Sequence, residues 1–328
     1  MLNPEMKLRE DLFDAKEQKP TRDGFGAGLV EAAEADPRIV ALCADLTEST
    51  RMEEFKKRFP ERFVEIGVAE QNLATVASGM AAFGKIPFIT SYATFSPGRN
   101  NEQIRTTISI NQVPVKIVGS HAGISVGPDG ATHQALEDIA LMRVQPNMTV
   151  VSPCDAEEAR KATLAVAKTN SPAYIRLGRE KTPLMTTVET PFEFGKANVV
   201  WRSDAPQVAL FATGPLLFNA LCAGRDLEKG GIQATVINVH TIKPLDEETI
   251  VAEAKKAGAV VTVEEHQIAG GLGSAIAELL AQKNPVPIEF IGVRDRFGQS
   301  GTPAELMEEY GLGVSYIMEA VKKIVGRK

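Results

Sequence analysis

The strongest constraint on this chain is an alternation that runs through it twice: short apolar runs, each followed by a segment whose apolar residues recur at helical spacing. Ile39–Ala44, Phe63–Ile66, Pro87–Thr90, Val115–Val118, Thr149–Val151 and Ala173–Leu177 read as strands, and Glu70–Phe83 and Asp155–Lys168 as helices among them. Asp155 followed three residues on by Glu158 is a capping-box arrangement that satisfies orphan amides at a helix start. The alternation then stops. Thr182–Phe194 is rich in Thr and Pro, and Pro183 and Pro191 discourage a helix there. It restarts with strand Val208–Phe211, helix Leu216–Glu228, strand Ala234–Val239, helix Glu247–Ala257, strand Ala259–Glu264, helix Ser274–Gln282 and strand Ile288–Ile291. Strands that alternate with helices pair in parallel and are covered on both faces. The expected fold is therefore α/β, with two consecutive domains, each a mostly parallel sheet flanked by helices. The boundaries read as a charged lead-in of helical leaning over residues 1–20, a first domain over 21–181, a linker over 182–200 and a smaller second domain over 201–328.

Composition narrows the classes of partner. Hydrophobic residues make up 44% and charged ones 24% of the 328 residues, enough apolar material for two cores. A net charge of -6 argues against nucleic acid or an anionic membrane as the main partner, while leaving room for a local basic pocket. Cys43, Cys154 and Cys222 lie far apart without metal-ligand spacing, which fits a reducing compartment. The first residues carry no signal-peptide pattern and no run reaches transmembrane length, so a cytoplasmic location is expected.

Ligands of open α/β sheets bind beyond the carboxyl ends of the strands. At that edge Asp45 follows IVALCA, Glu70 follows FVEIG at a helix start, Tyr92 and Phe95 follow PFIT, and His121 follows VKIVGS. His121 opens the Gly-rich loop HAGISVGPDGATHQ, which also holds Asp129 and His133. Each residue has a plain structural alternative. A Glu at a helix start usually serves the helix dipole, Phe95 could be core, His133 could cap or pack, and Gly123, Gly127 and Gly130 could serve turns. Composition and periodicity leave both readings open.

Taken in order, Thr21–Arg22, ADLTEST (Ala44–Thr50), EIGVAEQN (Glu65–Asn72), SYATF (Ser91–Phe95), SHAGISVGPDGATHQ (Ser120–Gln134) and LGRE (Leu177–Glu180) form a specific set. From about Pro20 onward the sequence resembles the C-terminal half of transketolase, the pyrimidine-binding domain followed by the transketolase C-terminal domain. The resemblance implies that Glu70 hydrogen-bonds the aminopyrimidine of thiamine diphosphate, sharing a proton with a ring nitrogen. It also implies that Phe95 stacks on that ring beside Tyr92, and that Asp45 and Leu46 line the cofactor. His121 and His133 match catalytic histidines around a ketose donor, and Asp129 a carboxylate on a sugar hydroxyl. Arg22, Ser49 and Arg179 match groups that hold the sugar phosphate, a task suited to the planar guanidinium; the alternative for Arg179 is a surface pair with Glu180.

The sequence departs from a complete transketolase in one respect. It has no Gly-Asp-Gly, the motif with which the family holds metal and diphosphate; Asp-Gly occurs at Asp23–Gly24 and Asp129–Gly130 without a preceding Gly. The resemblance thus implies a chain with no metal ligands of its own, which relies on a partner subunit to hold Mg2+ or Ca2+ and the diphosphate, within a heterotetramer. In VEEHQIAGGLGS (Val263–Ser274) the glycines could suggest a phosphate cradle, but the resemblance implies packing and assembly, as for His240 and His266. The alternatives are a subunit of 1-deoxyxylulose-5-phosphate synthase type, a 2-oxo acid dehydrogenase beta-type subunit, a transketolase relative adapted to an unusual sugar phosphate, and a noncatalytic assembly subunit.

Overall fold

The computed structural model describes residues 1–327. Its strands are β1 (Gln18–Pro20), β2 (Ile39–Cys43), β3 (Phe63–Glu65), β4 (Ile86–Tyr92), β5 (Lys116–Ser120), β6 (Thr149–Val151), β7 (Ala173–Arg176), β8 (Lys181–Pro183), β9 (Asn198–Trp201), β10 (Val208–Ala212), β11 (Ala234–Asn238), β12 (Thr241–Lys243), β13 (Val260–Gln267) and β14 (Ile288–Val293). The first sheet runs β12-β6-β7-β5-β4-β2-β3 and the second β14-β13-β10-β11-β9. All pairings in both are parallel except those of β12 and β9 at the edges. Strands such as β2 and β10 are buried along their whole length, as continuous apolar runs covered on both faces must be.

Three features went unread in the sequence. β12, which lies in the second half of the chain, adds antiparallel to β6 and finishes the first sheet. The lead-in is not helical beyond the short turns Pro4–Met6 and Leu12–Asp14. It lies along the second sheet instead: Asn3 N–H donates to the Val200 carbonyl at 2.9 Å and Arg202 N–H to that of Met1 at 2.8 Å. Leu12 enters the second core, where burial of such a side chain contributes about 2 kcal/mol. Both ends of the expected linker are also strands: β8 pairs with β1, and β9 edges the second sheet.

The helix Ala156–Ala167 shows how a cap can do more than cap. Asp155 Oδ1 accepts from Glu158 N–H at 2.9 Å as expected. Its Oδ2 accepts from Met185 and Thr186 N–H, each at 2.7 Å, and so pins the connection between the domains. Glu158 does not complete a reciprocal box. Its carboxylate accepts from Cys154 N–H and, across the domain boundary, from Asn238 Nδ2, both at 2.7 Å. The expected box is thus half formed, because the second acid is drawn to a neighbouring strand end. A shared apolar cluster, with Met142, Val150 and Tyr174 from one side and Phe211, Ile237 and Ile242 from the other, fills the junction. No described helix is long and apolar enough to cross a membrane.

Candidate functional site

The parallel order β5-β4-β2 puts the loops after these strands side by side. Glu70 opens the helix Glu70–Ala82, yet its carboxylate caps nothing: the helix begins at Ala69 without a side-chain cap. The side chain is instead 2% exposed. Oε1 accepts from Ser91 Oγ at 3.1 Å and Oε2 from Arg99 Nη1 at 2.9 Å, while Asn100 Nδ2 holds the Glu70 carbonyl. The Arg99 guanidinium lies 4.7 Å from the centre of the Phe95 ring.

Four rings gather after β4 and β5, with Phe95 linked to this carboxylate through Arg99. Tyr92 stacks on His121 at 3.9 Å between centroids and lies nearly parallel to Phe95 at 6.2 Å. His133 meets Tyr92 and Phe95 edge-on at 6.1 and 5.4 Å. His121 sits in the left-handed region, φ 55°, which turns its side chain off the end of β5. Its Nε2 is 3.2 Å from Arg22 Nη1, and its Nδ1 is 2.9 Å from Ser120 Oγ. A guanidinium only donates, so Nε2 accepts and the ring proton is on Nδ1, directed at Ser120. Burial, with Arg22, Arg179 and Arg51 nearby, pushes this imidazole down to about 3, so His121 is neutral at pH 7.

Arg22 also donates to the main-chain carbonyl of Ser49 at 2.8 Å, so Ser49 meets it through its backbone. The Arg22 Nε is buried without a partner. Burial first, then Arg51, lowers the guanidinium's pKa from its ordinary value. Arg179 donates to the Val126 carbonyl at 2.6 Å and lies 3.9 Å from Asp129. That contact belongs to the histidine loop, whereas the surface alternative named Glu180. Asp45 and Leu46 follow β2 at the start of the loop whose Ser49 meets Arg22. Asp45 is exposed, with φ 57°, and its N–H donates to Glu65 Oε1 at 2.7 Å; Leu46 packs on the core beneath the first sheet.

Sequence reasoning missed Ser91 and Arg99 as partners of Glu70. Ser91 is at the end of a predicted strand, where the alternation could have flagged it. Arg99 follows the turn Ser96-Pro97-Gly98, and nothing in its local pattern directs it to an acid 29 residues earlier. The Gly-rich turn of the second domain is not a phosphate cradle: Glu264 accepts from Leu272 and Gly273 N–H, both at 2.8 Å, and so occupies that helix start. His240 is buried, stacked on Phe192 at 4.3 Å, and His266 is buried with Nδ1 2.7 Å from the Gln267 carbonyl. Among the described residues, no three of His, Cys, Asp and Glu gather as a metal site.

Residues 17–185 match the family model for the transketolase pyrimidine binding domain, and residues 195–317 that for the transketolase C-terminal domain. The chain is 40% identical over 317 residues to the 6-deoxy-6-sulfo-D-fructose transketolase subunit SqwH of Clostridium sp. (strain MSTE9), covering 96% of this chain and 98% of that one. It is 42% identical over 312 residues to a putative transketolase C-terminal section of Methanocaldococcus jannaschii, covering 93% and 97%. Among solved structures it resembles one described as a split gene transketolase, inactive beta4 tetramer, with a TM-score of 0.87, 44% identity, and 94% and 98% coverage.

Proposed function

From the premise that this chain belongs to the transketolase family, as a transketolase-type subunit, we propose that it is the C-terminal subunit of a thiamine-diphosphate enzyme that transfers a two-carbon ketol unit between sugar phosphates. The observation that carries the reading is the buried Glu70 carboxylate, held by Ser91 and Arg99 beside the stacked faces of Tyr92 and Phe95. This donor set fits an aminopyrimidine, which needs a carboxyl group at one ring edge and an aromatic face to lie on. When bound, the cofactor supplies the carbanion chemistry. In this reading Glu70 shares a proton with the ring nitrogen, Phe95 and Tyr92 fix the ring plane, and Asp45 and Leu46 border the cofactor.

His121, neutral and with its proton on Nδ1, accepts at Nε2 and stands with His133 where sugar hydroxyls are oriented and relieved of protons. Asp129 accepts from a further hydroxyl. Arg22 and Arg179 hold the anionic end of the sugar, with Ser49 beside them; the unpartnered Arg22 Nε and the combined positive charge near His121 support this assignment. Diphosphate and Mg2+ or Ca2+ are held by a separate subunit, two copies of which join two copies of this chain. The inactive beta4 assembly of the solved relative supports self-association of this half without its partner.

The test is a ketol-transfer assay of the purified chain and of the chain co-expressed with a diphosphate-domain subunit. Sugar phosphates and a sulfonated ketose are offered with cofactor and magnesium. Turnover only by the co-expressed pair is expected, with preference for the phosphates. Turnover by the chain alone sinks the split-subunit reading, and preference for the sulfonate overturns the substrate assignment.

A further inference from the structure

The segment that carries His121, Asp129 and His133 has little repetitive backbone to hold it. Gly123, Gly127 and Gly130 adopt φ of 92°, 81° and 74°, so the loop changes direction repeatedly within a few residues. Within the first domain it is tied by Ala122 N–H to the Leu177 carbonyl at 3.0 Å and by Gly123 N–H to that of Ala135 at 2.9 Å. Arg179 Nη1 also holds the Val126 carbonyl, and Gln134 Nε2 donates to the loop's own Ile124 and Gly127 carbonyls at 3.1 and 3.2 Å; two further ties lead to the second domain. Gln134 Nε2 donates to the Gln299 carbonyl at 3.0 Å, and Ser125 N–H donates to Glu265 Oε1 at 2.7 Å.

Glu265 is the unusual member. It lies near the end of β13, is 3% exposed, and burial pushes its carboxyl up from the ordinary range. A buried carboxyl group is costly unless it is well partnered. The loop backbone runs against it so closely that a Cβ at Gly123 would lie 2.3 Å from Oε1. Arg176, whose Nε pairs with Asp138 at 2.8 Å, donates from Nη2 to the Glu265 main-chain carbonyl at 2.7 Å and fixes that strand end beneath the loop. Ser125 is midway between His121 and Asp129, so a displacement at its amide is transmitted to both.

We propose that Glu265 is a positioning residue: from the second domain, it sets the height of the loop and thereby the placement of His121, Asp129 and His133 against the sugar. The inference rests on the reading of that loop as substrate-facing. A loop loosened at this point misplaces contacting groups by a fraction of an ångström to an ångström, enough to cost about tenfold to a hundredfold.

The test compares Glu265→Gln with Glu265→Ala. Hydrogen exchange of residues 120–134 is followed by mass spectrometry in the purified chain, and KM and kcat are measured in the assembled complex. Glu265→Ala is expected to raise exchange in 120–134 by about tenfold while the helix Glu70–Ala82 is unchanged, and to raise KM for the sugar at least as much as it lowers kcat. Glu265→Gln keeps an oxygen for the Ser125 N–H and is expected to restore both readouts to within about threefold. Should Glu265→Ala fail to fold, Ser125→Pro removes the donor from the loop side and is expected to raise the same exchange. Unchanged exchange in 120–134 overturns the clamp, and a loosened loop with unchanged KM overturns the positioning role. Exchange is read on the chain alone, so absence of ketol transfer by the wild-type complex would count against the proposed function and not against the clamp.

Discussion

Both sheets of this molecule end in polar residues at the carboxyl edge of their strands, yet the two edges put them to different uses. Beyond β2, β4 and β5 stand Asp45, Tyr92, Phe95 and His121, flanked by guanidinium groups, with the buried Arg22 Nε unpartnered. Beyond β11 and along β13 stand Asn238, His240, Glu264, Glu265 and His266, all buried and turned toward neighbouring elements. Asn238 reaches Glu158, Glu264 reaches a helix start, and Glu265 reaches the histidine loop. The rule that ligands bind at strand ends finds polar residues at both edges. Unpartnered polar atoms occur at both, Asn238 Oδ1 and His240 Nε2 as well as Arg22 Nε, so accessibility is what separates a binding edge from a fastening edge: Asp45 is exposed and Tyr92 and Phe95 half-buried, whereas the second set is wholly buried.

The sharpest way to break this comparison is Glu70→Gln. Gln keeps the size and hydrogen-bonding capacity but cannot share a carboxyl proton. Turnover of the assembled complex is expected to fall by about a hundredfold or more, the scale of one acid–base group. Folding and assembly should be little changed, because the Glu70 side chain caps no helix amide. Hydrogen–deuterium exchange at the cofactor's thiazolium carbon reads the effect directly; wild-type exchange in the variant would leave Glu70 a structural residue and erase the distinction between the edges.

The converse substitution belongs to the fastening edge. Glu158→Ala strips partners from Cys154 N–H and Asn238 Nδ2 at a buried site, and is expected to cost about 3 kcal/mol in urea unfolding. Turnover per folded complex should stay within about threefold of wild type. A stable but inactive variant would show that the two edges share one function.

A smaller effect sharpens the contrast through pH. His121 is held neutral by burial, with its pKa near 3 against about 6.5 in an unfolded chain. Between those values the unfolded state binds the extra proton, so stability is retained above about 6.5 and lost as pH falls toward 3. At pH 5 this amounts to about 2 kcal/mol. The imidazole resonances of His121 are expected not to titrate between pH 8 and 5, and His121→Asn should flatten the acid fall in Tm. A midpoint near 6.5 would contradict the buried, neutral assignment.

The α/β order was legible because buried parallel strands are largely apolar runs, interrupted in β5 by Lys116 and in β7 by Arg176 but otherwise enough to be recognised. β9 and β12 were not, because each is a short edge strand whose pairing is set by a partner far along the chain. At the candidate site, Glu70, Tyr92, Phe95 and His121 could be picked out because each follows a strand or opens a helix, and His133 because it shares a Gly-rich loop with His121. Arg99 escaped, since its meeting with Glu70 depends on how a loop folds back. Ser49 was named together with Arg22 and Arg179, and it meets Arg22 through its carbonyl, a contact that side-chain chemistry does not announce.

The exchange of segments between the halves also governs the order in which the molecule can be completed during synthesis. Residues 1–15 are made well before their docking surface on β9 and the second core, which is present only after residue 198 has been added. The first sheet likewise waits for Thr241–Lys243 before its β6 edge is covered. A nascent chain that has just finished residue 200 therefore presents an open strand edge and an undocked apolar strap, the two hazards that invite pairing with another copy. Native closure is a late event that joins early and late stretches of the polypeptide across a long span of sequence.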